Sequence, residues 1–301
     1  MSAPEIMQRF DLRMAMSTAL VCLSLADAQQ TRAQDQWSAV TAVIGRPGTL
    51  QPDSVMKYSL PRSDMNVSLD GVTLKPALAL GSWVAFKRID SSNALVMGDL
   101  VLAEAEVSPV ISALQQGDVF QTAVHNHLLR ESPRVSYVHI MAHGDATKIA
   151  AAIRKALDLT ATPAAAPVAA ASAAIDLDTA VIHRDLGIAG RVNGGVYQVS
   201  VPRRETIRMN GEIVPPSMGV STAINFQPTG SGRAAITGDF VLRESEVNRV
   251  IPILRNGRIA ITALHSHMIG EDPRLYFMHF WANDDASELA TTLRRAIDQL
   301  K

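Results

Sequence analysis

The chain has 301 residues, 47% of them apolar and 19% charged, with 28 Lys+Arg against 29 Asp+Glu and a formal net charge of −1. That composition is globular and excludes a largely disordered chain. Balanced charge without any basic run excludes a generic nucleic-acid partner, because binding the phosphate backbone needs a concentrated cationic surface.

Taken in chain order, the first element is an address. Arg9 and Arg13 precede MAMSTALVCLSL, residues 14–25, an apolar run too short to span a bilayer as a helix. Ala26-Asp27-Ala28 then supplies the small-residue pattern of a signal-peptidase site. Residues 1–28 therefore predict a signal peptide and a periplasmic or extracellular protein with no transmembrane helix in the mature chain; a cytosolic amphipathic helix is the alternative. Cys22, the only cysteine, lies inside this segment. Val21 stands before it where lipid-attachment sites prefer a small residue, so the sequence argues against a lipid anchor. A mature chain without thiols has no disulfide, no iron–sulfur cluster and no thiolate nucleophile. Any metal must be held by imidazole and oxygen ligands.

The rest of the chain is one unit written twice. Adding 140 to each position from Gly98 to Asp158 lands on a counterpart between Gly238 and Asp298 without a gap, and 26 of these 61 positions are identical. Upstream, Gly71 matches Gly211, Pro76 matches Pro216 and Phe86 matches Phe226. The stretch ATPAAAPVAAASAA, residues 161–174, has linker composition. The expected organisation is repeat 1 over 37–158, an Ala/Pro-rich linker over 159–176, and repeat 2 over 177–300, with the two repeats packed together.

Within repeat 2, GVYQVSVP (195–202) and STAINF (221–226) predict strands, with Asn210-Gly211 as a turn; Asp70-Gly71 is the counterpart turn in repeat 1. ITGDFVL (236–242) predicts another strand. Val247, Val250, Ile251 and Leu254 follow at helical spacing, with Pro252 inside the stripe predicting a short or kinked helix. Glu104, Glu106, Glu244 and Glu246 suit the N-terminus of that helix in the two copies. RIAITALHSHM (258–268) and RLYFMHFWA (274–282) predict an antiparallel strand pair around the breaker GEDP. Asp285 is placed to cap a last helix whose buried stripe is Leu289, Leu293, Ala296 and Ile297. The fold class is α+β, a tandem duplication of a β-α-β-β-α unit with a ferredoxin-like core and extra antiparallel strands.

Three histidines mark each strand pair. His265 and His267 are two apart, so on a strand they share a face. His279 joins them if the register pairs it with position 265, whereas a one-residue slip sends it to the opposite face. His125, His127 and His139 repeat the arrangement. Three imidazoles per repeat suit a divalent transition metal, zinc first, with an open position. Glu131 and Glu271, four residues after the second histidine, are candidate bases or fourth ligands. They compete with a plainer reading as ion pairs to Arg134 and Arg274 that brace the turn. Asp99 and Asp239, each after a glycine, read as turn formers. His143 has Asn283 as its counterpart and stands outside a shared site, and His183 has no evident partner. Tyr276, Phe277, Phe280 and Trp281 read as core, with a ligand pocket as the alternative. No phosphate-cradling glycine loop and no G-x-S-x-G elbow are present.

The pieces T-G-D-F, A-L-H-S-H-M, D-P-R-L and F-M-H-F-W-A occur in order between residues 237 and 282. This segment resembles the signature segment of the LppY/LpqO family of bacterial exported proteins and lipoproteins, and the resemblance extends more weakly to repeat 1. It implies export, and it carries over no activity and no catalytic residue. The expected function is metal binding by a histidine-rich site in each repeat, with metal-assisted hydrolysis as its chemistry. The rival is a non-enzymatic cell-envelope protein, structural or binding a small molecule or envelope component, whose histidines are buried hydrogen-bonding residues.

Overall fold

The computed structural model describes residues 35–164 and 174–300. The expected signal peptide lies outside them, as does most of the Ala/Pro stretch. Repeat 1 runs α1 (Ser38–Ile44), β1 (Thr49–Leu50), β2 (Met56–Pro61), β3 (Ser68–Leu69), β4 (Val72–Thr73), α2 (Pro76–Ala79), β5 (Gly81–Arg88), β6 (Asn93–Ala103), α3 (Glu104–Gln115), β7 (Phe120–His125), β8 (Val135–Asp145) and α4 (Ala146–Leu157). Repeat 2 runs α5 (Thr179–Leu186), β9 (Arg191–Asn193), β10 (Val196–Pro202), β11 (Ile207–Met209), β12 (Glu212–Val214), a 3₁₀ turn (Pro216–Met218), β13 (Ser221–Gly230) and β14 (Arg233–Leu242). It continues with α6 (Glu244–Asn256), β15 (Ala260–His265), β16 (Glu271–Asp272), β17 (Tyr276–Asp285) and α7 (Ala286–Ile297).

Each repeat forms a six-stranded antiparallel sheet, in the orders β1-β2-β5-β6-β8-β7 and β9-β10-β13-β14-β17-β15. β8 lies between β6 and β7 and is antiparallel to both, so β6-α3-β7 is the split β-α-β unit of the expected fold. The predicted turns at Asp70-Gly71 and Asn210-Gly211 form with positive φ at all four residues, at 48°, 80°, 50° and 86°. Asp145 and Asp285 cap α4 and α7, each accepting from two backbone amides at 2.9–3.0 Å. Pro252 does not shorten its helix, which runs thirteen residues through it.

Side-chain alternation along the strands decides the packing. Val96, Leu100, Leu102, Val138 and Ile140 face α3 and α4, meeting Val110, Leu114, Ile149 and Ile153. Ile236, Phe240, Leu242, Met278 and Phe280 do the same against α6 and α7. The residues between them face the other way, into the partner repeat. Ala85, Leu95 and Met97 pack with Ile207, Met209, Val241, Met268 and Phe277. Val101, Val135 and Tyr137 pack with Ala235 and Trp281. The two sheets therefore meet face to face with helices outside, in four layers. Both faces of β6 are covered, which is why Ala94–Leu102 is buried without a break.

The arms β3-β4 and β11-β12 cross this seam. Val67, Leu69 and Leu74 join Trp281 of repeat 2, while Ile207, Met209 and Val214 join Leu95 and Met97 of repeat 1. Gln227 bonds Thr73 O and Lys75 N at 2.8 Å, and Asp53 accepts from the Ser217 hydroxyl at 2.8 Å.

A buried ion cluster is also duplicated. Arg62 donates to Glu106 at 2.6 and 3.0 Å and to Val101 O at 2.7 Å, and Arg203 does the same to Glu246 and Val241 O at 2.6, 3.0 and 2.9 Å. Each glutamate also accepts from the backbone amide just before its helix, at 2.8 and 2.7 Å. The pair thus fixes α3 or α6 to its own sheet. Arg62 is 1% exposed. Arg62→Ala, which leaves Glu106 without its guanidinium, is expected to cost about 3–5 kcal/mol in urea unfolding. A loss within experimental error of zero would show that the cluster does not hold the helix.

Candidate metal centre at the seam between the repeats

The strand register sets one polar row across each inner face. In repeat 1 it reads Trp83–Asp99–His139–Ala123, and in repeat 2 Ala223–Asp239–His279–Ala263. His279 pairs with Ala263 rather than with His265, and a bulge lies between Ile261 and Ala263. Because 263 and 265 share a face, His265 and His279 still project together. His125 and His265 end their strands, and His127 and His267 follow two residues later.

All six imidazoles meet in one cluster at the seam. The triads that the sequence places one in each half adjoin: the inner faces are pressed together, so the two triads form one group. His125 faces His265 with ring centres 3.8 Å apart, His127 faces His279 at 3.8 Å, and His139 faces His267 at 3.7 Å. Tyr137 covers His127 at 3.3 Å and Phe277 covers His267 at 3.7 Å. Reciprocal bonds hold the strand ends: Thr122 Oγ1 donates to His267 O at 2.6 Å, and Thr262 Oγ1 to His127 O at 2.5 Å.

Asp99 and Asp239 belong to this cluster, not to turns. Each sits in mid-strand with its side chain on the inner face. The Asp99 oxygens stand 3.9 Å from His139 Nε2 and 4.0 Å from His127 Nε2. Those of Asp239 stand 3.7 Å from His267 Nδ1 and 4.0 Å from His279 Nε2. The preceding glycines serve close packing: a Cβ on Gly98 would lie 2.8 Å from Trp83 O, and one on Gly238 1.9 Å from Ala223 O.

Donor atoms from His125, His127, His139 and His267 lie within 4.8 Å of one another, as do those from His125, His265 and His279 and those from Asp239, His267 and His279. These groups could hold a metal ion. Among the described residues, the buried side-chain atoms without a hydrogen-bond partner include Asp99 Oδ1, Asp239 Oδ1 and the Nε2 atoms of His125, His127, His139 and His279. Each such atom costs about 1–3 kcal/mol if nothing binds it, so six together rival the stability of a whole domain. His279 Nδ1–H donates to Gly238 O at 2.9 Å, which leaves the Nε2 lone pair of His279 facing the cluster.

Burial disfavours the charged form of every ring. It lowers the His125 pKa to about 3 and that of His265 to about 4, and with repulsion from neighbouring rings it holds the other four well below the usual value. The imidazoles are thus in the neutral form that ligates metals. Burial raises Asp99 to about 7, with Lys57 pulling it down, and raises Asp239 well above the usual carboxylate range, helped by the Asp99 charge. Lys57 lies 4.0 Å above the Trp83 ring, donates to Ser217 O at 3.0 Å, and is lowered to about 8 by burial.

A family model described as Domain of Unknown Function (DUF1259) matches residues 38–159 and again residues 180–299. The chain belongs to this family. No curated protein matches the sequence. Two solved structures align with 83% of the chain: the trimeric bacterial microcompartment shell protein PduB and EtuB from Clostridium kluyveri. The first shares 11% identity over 89% of its own chain with a TM-score of 0.19, the second 10% over 90% with a TM-score of 0.20. Scores that low carry no argument about this chain.

In both DUF1259 copies the glutamates stand apart from the donor groups. Glu271 Oε1 accepts from Leu275 N at 3.1 Å and lies 3.5 Å from Arg274 Nε, so this carboxylate braces the turn. Glu131 has the equivalent bond from Val135 and the nearby Arg134 charge, while burial raises its pKa. The carboxylates that reach the cluster are the aspartates, and the signal for them was an acid repeated inside an apolar strand. Of the aromatic stripe, Phe280 is helix-facing core and Trp281 Nε1 donates to Asp70 at 3.0 Å. His143 is exposed and His183 lies in α5, both outside the donor groups.

A histidine held below its unfolded value of ~6.5 binds fewer protons folded than unfolded, so stability present above that value is lost as pH falls below it. A raised aspartate acts oppositely, contributing stability that is lost as pH rises through its folded value. Six lowered imidazoles outweigh two raised carboxylates, so the chelator-treated chain is expected to melt at a lower temperature at about pH 5 than at about pH 7. An unchanged or higher midpoint in acid would contradict the burial of these rings.

Proposed function

We propose that this chain is an exported metalloprotein whose inter-repeat cluster holds a divalent transition metal, zinc first, and uses it in hydrolysis. The observation that carries the reading is the set of unpaired donor atoms converging from both repeats. An all-nitrogen-and-oxygen set rich in imidazole suits zinc, cobalt, nickel, copper or iron and not magnesium or calcium. A metal ion with an open position supplies a water nucleophile near neutral pH. The protein's part is to fix the imidazoles through the strand register and to hold Asp99 and Asp239 beside them; we assign the carboxylate role to these two in place of Glu131 and Glu271. Export is supported by the basic-then-apolar segment with its small-residue cleavage pattern, and by the likeness to the LppY/LpqO proteins.

The rival reading, a non-enzymatic envelope protein with hydrogen-bonding histidines, accounts for the His279–Gly238 contact and for the 3.0 Å approach of His265 Nε2 to His267 Nε2. It leaves the Nε2 atoms of His125, His127, His139 and His279 without partners. Elemental analysis of the full chain, purified without a His-tag, is expected to find at least about one transition metal per chain. Less than about a tenth of an ion would remove the reading. Chelation should lower the melting midpoint, because an ion that binds only the folded chain stabilises it. Asp239→Asn is expected to weaken metal affinity about 10–100-fold in competition with a chelating dye, with little change in circular dichroism.

A further inference from the structure

Which imidazoles can share an ion depends on how far apart their rings stand. Two imidazoles on one ion, with metal–nitrogen bonds of ~2.1 Å and an angle of about 90–110°, hold their ring centres about 4.6–5.3 Å apart. Four pairs within a repeat have that spacing, His125–His127 at 4.9 Å, His125–His139 at 5.0 Å, His265–His267 at 4.9 Å and His265–His279 at 5.0 Å, while His267–His279 stands wider at 5.6 Å. The three pairs that face each other across the seam do not. At 3.7–3.8 Å, with ring planes 22° apart in two pairs and 39° apart in His125–His265, the rings are too close for both to direct a nitrogen at a common ion.

Each facing pair must then be divided between two ions. Spacing alone would also admit His125 with His267, at 5.3 Å. The aspartates decide the partition. Asp99 lies between His127 and His139, and Asp239 lies between His267 and His279.

We propose that the cluster is a binuclear centre, with one divalent transition-metal ion held by His125, His127, His139 and Asp99 and a second by His265, His267, His279 and Asp239. This rests on the metal-binding reading and deepens it. Three nitrogens and one oxygen give each ion four protein ligands, with the eight donors used once each, and a fifth position is left for the oxygen of a water or bound ligand. The stacking distance sets the ions about 3.5–4 Å apart, a spacing at which two metals act together on one small oxygen-donor ligand. The chemical class of that ligand is a small oxyanion, reaching the centre from the side of His125 and His265, which are less buried than His139, His267 and His279.

The test uses the full chain without a His-tag, stripped with chelator, loaded with copper(II) and desalted. Elemental analysis is expected to find two coppers per chain, and electron paramagnetic resonance to show the broadened or silenced signal of a coupled pair. One copper per chain would overturn the binuclear centre while leaving the metal-binding reading intact. No copper would remove both. Two coppers with the undisturbed spectrum of isolated ions would place the second elsewhere and overturn the pairing. The double variant Asp239→Asn, His279→Ala, if folded by circular dichroism, is expected to hold one copper with an isolated-ion spectrum. Retention of the coupled pair there would overturn the assignment of ligands, and if this variant does not fold, the parent chain's count and spectrum decide alone.

Discussion

The contact between two β-sheets, each offering a polar row to the other, is the constraint around which this molecule is arranged. An apolar seam would need only side chains of the right volume. This seam carries six imidazoles and two carboxylates in its middle, between Met97 and Tyr137 on one side and Met268 and Phe277 on the other. The low dielectric that makes these groups expensive to bury also keeps the rings uncharged with their lone pairs available. One physical cause, desolvation, thus produces both the cost and the chemistry. Thr122 and Thr262 extend the same logic, because each repeat positions a histidine-bearing strand end of the other.

Much of this was legible in the residues. The ungapped duplication is a statement about sequence, and the change from period two to period 3.6 gave the β-α-β-β-α order. Histidines two apart on a strand had to share a face. The joint between the repeats was not legible, because hydrophobic alternation marks a buried face without naming what covers it. Asp99 and Asp239 were hidden for a related reason. Strands buried on both faces read as continuous apolar runs, and an acid after a glycine looks like the end of one. The glycine has another duty there, since the neighbouring strand's carbonyl leaves no room for a Cβ. Glu131 and Glu271 were misleading because spacing gives reach and not direction, and their carboxylates turn back onto the backbone.

The crossing arms tie the two halves together. A sheet whose inner face holds Leu95, Met97, Val101 and Tyr137 would expose a large apolar area if it stood alone. Each arm covers part of the other sheet, and the buried Arg–Glu pairs fix the outer helices from behind. The donors are therefore carried on strands gripped from both sides, which limits how far an imidazole can stray from its place.

The seam has the form of a two-fold interface, yet a single chain supplies both sides of it. In a pair of identical subunits, every change on one side of such an axis is copied onto the other. Here the two sides have parted: Trp83 stands opposite Ala223, Tyr137 opposite Phe277, and Lys57 occupies the place that Gln198 takes in the second sheet. The repeat 1 sheet thus brings an amine, an indole and a phenol to places where the repeat 2 sheet has none. Fusion into one polypeptide has let the two sides of the seam diverge, so they are no longer interchangeable.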